Sequence, residues 1–466
     1  MQTRVDLLVL GGGPGGYVAA IRAAQLGRQV AVVEGRWWGG VCLNVGCVPT
    51  KALLRNAEVA DLVTRQAGTF GITGDIHVDY GTGWRRSRQV VASVTKGVQY
   101  LLQKNNVMAL DGWGTFTDPH TIMVQVNDGT VVELQFDQAI IATGAVARTL
   151  PGVTVGGRVM TYEQLLMQEE LPKSLVVAGS GAVGVELASI FASFGSKVTI
   201  VESLNRLVPA EDEVVSKELA RAFRRRGIAV LTATDVQGVD QTGDSVLVRT
   251  VPASGGVGAV IEADALLLAL GFTPKTTGFG LTETGVALDD RGFIEVDDMM
   301  RTNVPHICAI GDVTGKLMLA HVASAQGIIA AETLSGLAPA PLDYQLMPRA
   351  TYCEPQIASI GLTVAQAQAS GHEITVSRFP LSANAKAQAL AQASGFVMLV
   401  ADTEHNELVG AHLIGPGVTE LLPELTLAAT WDLTTDEIAR TVHAHPTISE
   451  AIAQAAQGIA GWTIDL

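Results

Sequence analysis

One supersecondary unit occurs twice in this chain, and the repeat limits the fold more than any other feature. Val5-Asp6-Leu7-Leu8-Val9-Leu10 reads as a buried parallel strand that runs into Gly11-Gly12-Gly13-Pro14-Gly15-Gly16. An alanine-rich helix from Tyr17 to Leu26 follows, stopped by Gly27, and a second strand from Gln29 to Val33 ends on Glu34. Roughly 170 residues later the order returns: strand Ser174–Ala178, turn Gly179-Ser180-Gly181-Ala182-Val183-Gly184, helix Val185–Phe194, stop Gly195, strand Lys197–Val201 and acid Glu202. In each turn the three glycines have separate tasks. Gly11 and Gly179 allow the tight turn, Gly13 and Gly181 let backbone approach a pyrophosphate, and Gly16 and Gly184 let helix and strand pack closely. The helix N-terminus then offers unpaired N–H groups and a positive dipole end to the phosphates. Glu34 and Glu202 are placed to accept ribose hydroxyls. A carboxylate at Glu202 repels a 2′-phosphate, so the second ligand is expected to be NAD rather than NADP, although Arg206 lies four residues on.

The chain is therefore expected to be α/β, with two Rossmann-like dinucleotide-binding domains plus a C-terminal α+β domain. The expected boundaries are 1–147, 148–275, a central segment 276–345 returning to the first domain, and 346–466. A helix is predicted near 85–104, alternating strands over 107–141, and a second long helix from about 321 to 335. Leu150-Pro151-Gly152 reads as a hinge, and Pro339 and Pro341 mark a further linker. With 48% hydrophobic and 17% charged residues there is ample material for several cores. A net charge of −15 disfavours nucleic acid as a partner, and no apolar run reaches the roughly 20 residues of a membrane span. The first apolar stretch is too short for a leader, and four cysteines are too few for a secreted disulfide framework. A cytoplasmic protein is expected, with no metal and no membrane contact.

Two further segments carry chemistry. In Gly39-Gly40-Val41-Cys42-Leu43-Asn44-Val45-Gly46-Cys47-Val48-Pro49-Thr50-Lys51 the cysteines are five apart, so on a distorted helical turn their sulfurs can meet. A redox disulfide beside the first nucleotide fold competes with metal binding, which lacks further ligands nearby, and with two unrelated buried thiols. In His443-Ala444-His445-Pro446-Thr447-Ile448-Ser449-Glu450 a histidine and a carboxylate can pair for acid–base work. From these residues alone a metal pair and a solvated surface cluster stand equally with that reading. Cys308 and Cys353 are isolated and read as core.

Together these segments resemble the flavin-dependent pyridine nucleotide–disulfide oxidoreductases over essentially the whole chain. The resemblance implies FAD in the first nucleotide fold, NAD in the second, a redox disulfide at Cys42 and Cys47, and an acid–base dyad of His445 with Glu450. It implies flavin contacts from Lys51, Gly114, Thr143, Gly144, Gly311, Asp312 and the stretch Leu319-Ala320-His321, and nicotinamide-nucleotide contacts from Glu186 and Gly271. Cys42 is the sulfur implied to meet substrate, and Cys47 the one beside the flavin. The implied activity is oxidation of a dihydrolipoyl group on the lipoyl-bearing subunit of a 2-oxo acid dehydrogenase complex, or on a glycine-cleavage carrier, with NAD as acceptor. The alternative is NADH-driven reduction of another low-molecular-weight disulfide. The implied assembly is a homodimer in which each base serves the opposite subunit's disulfide. This chain departs from the family's usual pattern at Trp37-Trp38, at Thr50 (commonly serine), at Phe272-Thr273-Pro274-Lys275 (commonly Arg-x-Pro-Asn) and at Ser324 (commonly an acid).

Overall fold

The computed structural model describes residues 2–465, and their contacts form two compact units. The first holds the chain up to Ala52, Thr82–Arg148 and Gly271–Leu342; the second holds Leu53–Gly81, Thr149–Leu270 and everything from Asp343.

In the first unit, strand Gln2–Leu10 lies between Val30–Glu34 and Val131–Ile141, parallel to both, with Leu7 level with Val30 and with Gln138. Strand Ile307–Ala309 extends this parallel sheet beside Ala139–Ile141. Strand Met108–Asp118 is used twice. Its first half runs parallel to Val30–Glu34, and its second half turns antiparallel against Thr121–Val126. Both faces of the parallel sheet are filled by apolar side chains. Leu7, Val9, Ala19, Ala23 and Val32 pack on one side, and Leu8, Leu10, Val33, Phe116 and Ile141 on the other. Such two-sided burial explains why these strands read as continuous apolar runs rather than alternating ones.

The second unit repeats the design. Strand Ser174–Ala178 lies between Lys197–Val201 and Ala265–Leu268, all parallel. An antiparallel sheet of Thr234–Thr242, Ser245–Pro252 and Ala259–Ala263 packs Val246 and Val248 against that core. The C-terminal part is a five-stranded antiparallel sheet with helices Leu422–Thr430, Thr435–Arg440 and Glu450–Ile459. Among the described residues no helix is long and apolar enough to cross a membrane.

The nucleotide-fold helices begin earlier than periodicity predicts, at Pro14 and Ala182, because each starts inside its glycine turn with a glycine N-cap. Proline fits the first helical position, where its missing N–H is not needed. The helix expected from 85 begins at Tyr80. Two stretches fall in other units than the sequence boundaries place them. Phe272–Pro274 pairs antiparallel with Ala145–Ala147 and so joins the first unit. Leu53–Gly81 joins the second, because Arg65 donates to Arg226 O (2.9 Å) and Ala192 O (3.1 Å), and the Tyr80 ring packs 5.5 Å from Phe191 and 5.3 Å from Phe194. Neither contact leaves a local trace in sequence.

Arg226 holds this part of the second unit together. Its guanidinium donates to Asp61 Oδ2 (2.6 Å), Ser193 Oγ (2.7 Å), Ser189 Oγ (2.7 Å) and Glu354 O (2.8 Å), joining four segments. Both charges are almost wholly enclosed, with 13% and 9% of their side chains exposed. Without Arg226 the enclosed Asp61 keeps only the half-exposed Arg65, 3.1 Å away, so Arg226→Met should cost about 3 kcal/mol, read as a lower urea midpoint.

Candidate active site

The first glycine turn is built by close backbone approach. A Cβ on Gly11, whose φ is +111°, would lie 2.2 Å from Ala142 O, and one on Gly16 would lie 1.9 Å from Gly11 O. A Cβ on Gly13 would meet nothing nearer than Gly40 Cα at 3.9 Å, and helix Pro14–Gln25 has no side-chain cap there. Glu34 closes the turn: Oε2 accepts from Gly12 N (2.8 Å), and Oε1 from Arg36 N (2.8 Å) and Trp37 N (3.0 Å). The second turn repeats this. Cβ atoms on Gly179 and Gly184 would lie 2.3 Å from Ala269 O and 2.2 Å from Gly179 O, whereas one on Gly181 would meet nothing within 4 Å. Buried Glu202 accepts from Ser180 N (2.8 Å), Ser180 Oγ (2.7 Å) and Leu204 N (2.8 Å). Arg206 turns its guanidinium to Pro209 O (2.9 Å). Each loop thus pairs an uncapped helix start with open space at its middle glycine, which suits a pyrophosphate.

The cysteine segment lies directly against the first turn. Gly39 N donates to Gly12 O (2.9 Å), and a Cβ on Gly40 would come within 2.7 Å of Gly13 Cα. Both glycines have positive φ, +84° and +64°. The segment folds as helix Gly40–Val45, a break at Gly46, and helix Cys47–Thr64. Asn44 Nδ2 ties it down by donating to Trp38 O (2.9 Å) and Gly40 O (2.8 Å), while Arg88 donates to Asn44 O (2.9 Å). Both cysteines are present as thiols, Cys47 exposed and Cys42 half-buried. A side-chain hydrogen bond with Cys47, then burial, pushes the Cys42 thiol far above its ordinary range, while Lys51 pulls it down. The two sulfurs are therefore in contact.

The other expected flavin residues lie in the first unit. Thr143 Oγ1 donates to Lys275 O (2.7 Å), and Gly144 O accepts from Lys275 N (2.9 Å). Gly271, expected as a nicotinamide-nucleotide contact, lies in the first unit, where its O accepts from Arg148 N (2.9 Å). Gly114 is buried, and a Cβ there would lie 2.6 Å from Ile122 Cδ1 and 3.0 Å from Leu10 Cδ1. Leu319 caps helix Ala320–Leu334, which places Ala320 and exposed His321 in its first turn. Gly311 N donates to Gln326 Oε1 (2.7 Å), a wholly buried amide. Gln326 was not foreseen from sequence; its one signal is a lone amide in an apolar helix. Beside it, Asp312 sits deep among its neighbours with part of its surface open, and burial pushes its carboxyl up to about 6. A carboxyl so placed suits the hydroxyls of a ribityl chain. In the second unit, buried Glu186 Oε1 accepts from Tyr352 N (2.9 Å).

The structure separates the two C-terminal histidines. His443 Nε2 lies 2.8 Å from Glu424 Oε1 and Nδ1 lies 2.9 Å from Thr441 O, so both ring nitrogens face acceptors. That setting suits an imidazolium, and the Glu424 hydrogen bond raises the His443 pKa above 6.5. His445 engages only Nδ1, 2.9 Å from Glu450 Oε1. Burial works against the charge of Glu450, yet Thr447 N–H (2.8 Å to Oε2) and the His445 ring hold it below the usual carboxylate range. An ionised Glu450 takes the Nδ1–H, which leaves Nε2 of the exposed His445 ring able to accept a proton. Buried Asn384, also unforeseen, supports the loop by donating to Thr447 O (3.0 Å). Among the described residues no group of three His, Cys, Asp or Glu side chains can hold a metal ion.

The chain matches the pyridine nucleotide-disulphide oxidoreductase family over residues 5–327 and that family's dimerisation domain over 347–456, and it belongs to the family. It is accordingly an FAD-dependent, NAD-linked oxidoreductase. Proteins called dihydrolipoyl dehydrogenase from Mycobacterium tuberculosis and Bacillus subtilis are 51% and 40% identical to it, each covering all of both chains. Among solved structures, LpdA of Mycobacterium tuberculosis is 29% identical with a TM-score of 0.90, covering 98% of this chain and 99% of that one. The flavoprotein disulfide reductase RclA of Escherichia coli is 27% identical with a TM-score of 0.88, at the same coverage.

His443 gives a test of the site's electrostatics. Because its folded pKa is raised, its contribution to stability is fully present below the unfolded value near 6.5 and is lost as pH rises through the folded value. NMR titration should find His443 above 6.5, and Glu424→Gln should bring it down and flatten that part of the stability profile.

Proposed function

We propose that this enzyme oxidises a protein-bound dihydrolipoyl group at Cys42 and Cys47 and delivers the electrons to NAD, which makes it a dihydrolipoyl dehydrogenase. The observation that carries this reading is the cysteine segment seated on the first glycine turn, with its two sulfurs in contact. Full-length identity of up to 51% to proteins of that name supports it.

FAD fits the first unit, held by the turn Gly11–Gly16, Glu34, Asp312, the Thr143–Gly144 junction and Lys51; NAD fits the turn Gly179–Gly184 with Glu202 and Glu186. When bound, FAD supplies a two-electron carrier between the cysteines and NAD, which leaves as NADH. In the proposed domain assignment the first nucleotide fold comprises 1–147 with 276–345, the second 148–275, and the interface domain 346–466, with Leu53–Gly81 packed in the second unit and Phe272–Pro274 in the first as described above. The chain's own residues perform the thiol chemistry. His445 Nε2 takes a proton from the substrate dithiol, and Glu450 stabilises the resulting imidazolium. The substrate thiolate attacks Sγ of Cys42 in the oxidised pair, the Cys42–Cys47 bond breaks, and Cys47 leaves as a thiolate. The second substrate thiol then attacks the substrate sulfur joined to Cys42, its proton passing to the departing Cys42 sulfur, which closes the lipoyl disulfide and leaves Cys42 as a thiol and Cys47 as a thiolate. Lys51, which already lowers the Cys42 thiol, favours the anionic forms. Cys47, the more exposed sulfur, is assigned to the flavin side.

Glu202 should set cofactor choice. A carboxylate facing a 2′-phosphate should favour NAD over NADP by at least about tenfold in kcat/KM, which corresponds to about 1.4 kcal/mol. Equal efficiencies would remove Glu202 from that role.

The dimerisation domain matches 347–456, and His445 falls within it. In the proposed homodimer each site takes its cysteines from one chain and its base from the other. Cys47→Ser and His445→Gln homodimers should both be nearly inactive on dihydrolipoamide, while NADH still reduces the flavin of the histidine variant. A purified heterodimer of the two should regain about half of wild-type turnover, since one site combines intact cysteines with an intact base. Activity near zero would place base and cysteines on one chain.

A further inference from the structure

Two of the chain's departures from the family pattern, Trp37-Trp38 and Phe272-Thr273-Pro274-Lys275, converge on one place in the first unit. That place is the turn just after Glu34. Glu34 is level with Asp111 on the neighbouring strand, and the Trp38 indole N–H donates to that Asp111 carboxylate. Two residues along the strand, the Trp113 indole lies flat on Gly35: a Cβ there would come within 2.7 Å of two ring atoms. The ammonium of Lys275 sits 4.8 Å from the centre of the Trp113 ring, and the Phe279 ring is 6.3 Å away on a 31° tilt. The same Lys275 holds the Thr143–Gly144 junction through both its backbone groups. An unbroken line of contacts therefore runs from the ribose acid Glu34 through Gly35, Trp113 and Lys275 to Thr143 and Gly144.

We infer that Trp113 and Lys275 form a clamp that sets how firmly the enzyme retains the adenosine end of its flavin dinucleotide. The Lys275 departure then belongs to flavin retention rather than to nicotinamide contacts. Trp113 is 44% exposed and carries none of the apolar core, so its contacts to Gly35 and Lys275 serve the turn more than the fold. Lysine over an indole face is attracted by the ring quadrupole, and the stack stiffens the backbone that presents Glu34. Pinning that backbone in place before the cofactor arrives lowers the cost of ordering it on binding. Both are positioning residues, and the inference rests on FAD occupying the first glycine turn.

The test measures FAD release from purified holoenzyme by recovery of flavin fluorescence on dilution, together with the melting temperature of the flavin-free protein. Lys275→Met should release FAD about two- to fivefold faster, and Trp113→Leu about tenfold faster. Lys275→Arg, which keeps a cation over the ring, should release at the wild-type rate, and no variant should lower the flavin-free melting temperature. Wild-type release rates in Lys275→Met and Trp113→Leu would overturn the clamp. So would faster release matched by a lower flavin-free melting temperature, or faster release in Lys275→Arg as well. Wild-type protein that binds no FAD would instead sink the assignment of the first turn, and the clamp with it.

Discussion

The site depends on how closely the Gly39-Gly40 turn approaches the first glycine loop. Gly40 comes so near the loop that a side-chain carbon on it would lie 2.7 Å from Gly13 Cα, and Gly39 N–H bonds back to Gly12 O. This contact fixes where helix Gly40–Val45 begins, and therefore where Cys42 stands relative to a dinucleotide on the loop. The break at Gly46 then brings Cys47 back to Cys42. A chain that merely carried two cysteines five apart would have no reason to hold them there.

Charge is managed the same way in both nucleotide folds. Glu34 and Glu202 each accept several donors from their own loops, so each acid shapes the backbone of its glycine turn. The helix starts beside them carry no side-chain cap, which leaves their N–H groups for phosphate oxygens. Asp312 differs. Burial raises its carboxyl, and a group held in that condition gains most from a ligand hydroxyl that can hydrogen-bond to it.

The C-terminal histidines show how hydrogen bonding divides identical side chains into different roles. Both nitrogens of His443 are spent on Glu424 and Thr441, so that ring fastens the loop to helix Leu422–Thr430. His445 spends one nitrogen on Glu450 and leaves the other available. A histidine–carboxylate pair is useful as a base only when the second nitrogen remains available.

Much of this was legible in the amino-acid order. The repeated glycine turns, their flanking strands and the closing acids are local patterns, because a tight turn, a close backbone crossing and a buried parallel strand each demand particular residue types at particular spacings. The cysteine spacing was visible for the same reason, whereas the pairing of His445 with Glu450 was singled out by the family resemblance and not by the spacing. Tertiary structure decided what spacing cannot express. It moved Leu53–Gly81 into the second unit through Arg65 and Tyr80, and Phe272–Pro274 into the first through a three-residue pairing. It also made His443 a fastener, gave Gln326 and Asn384 their supporting hydrogen bonds, and set Lys275 over Trp113. Each of these depends on groups far apart in the chain meeting within a few ångströms, and only the packed fold determines which distant groups meet.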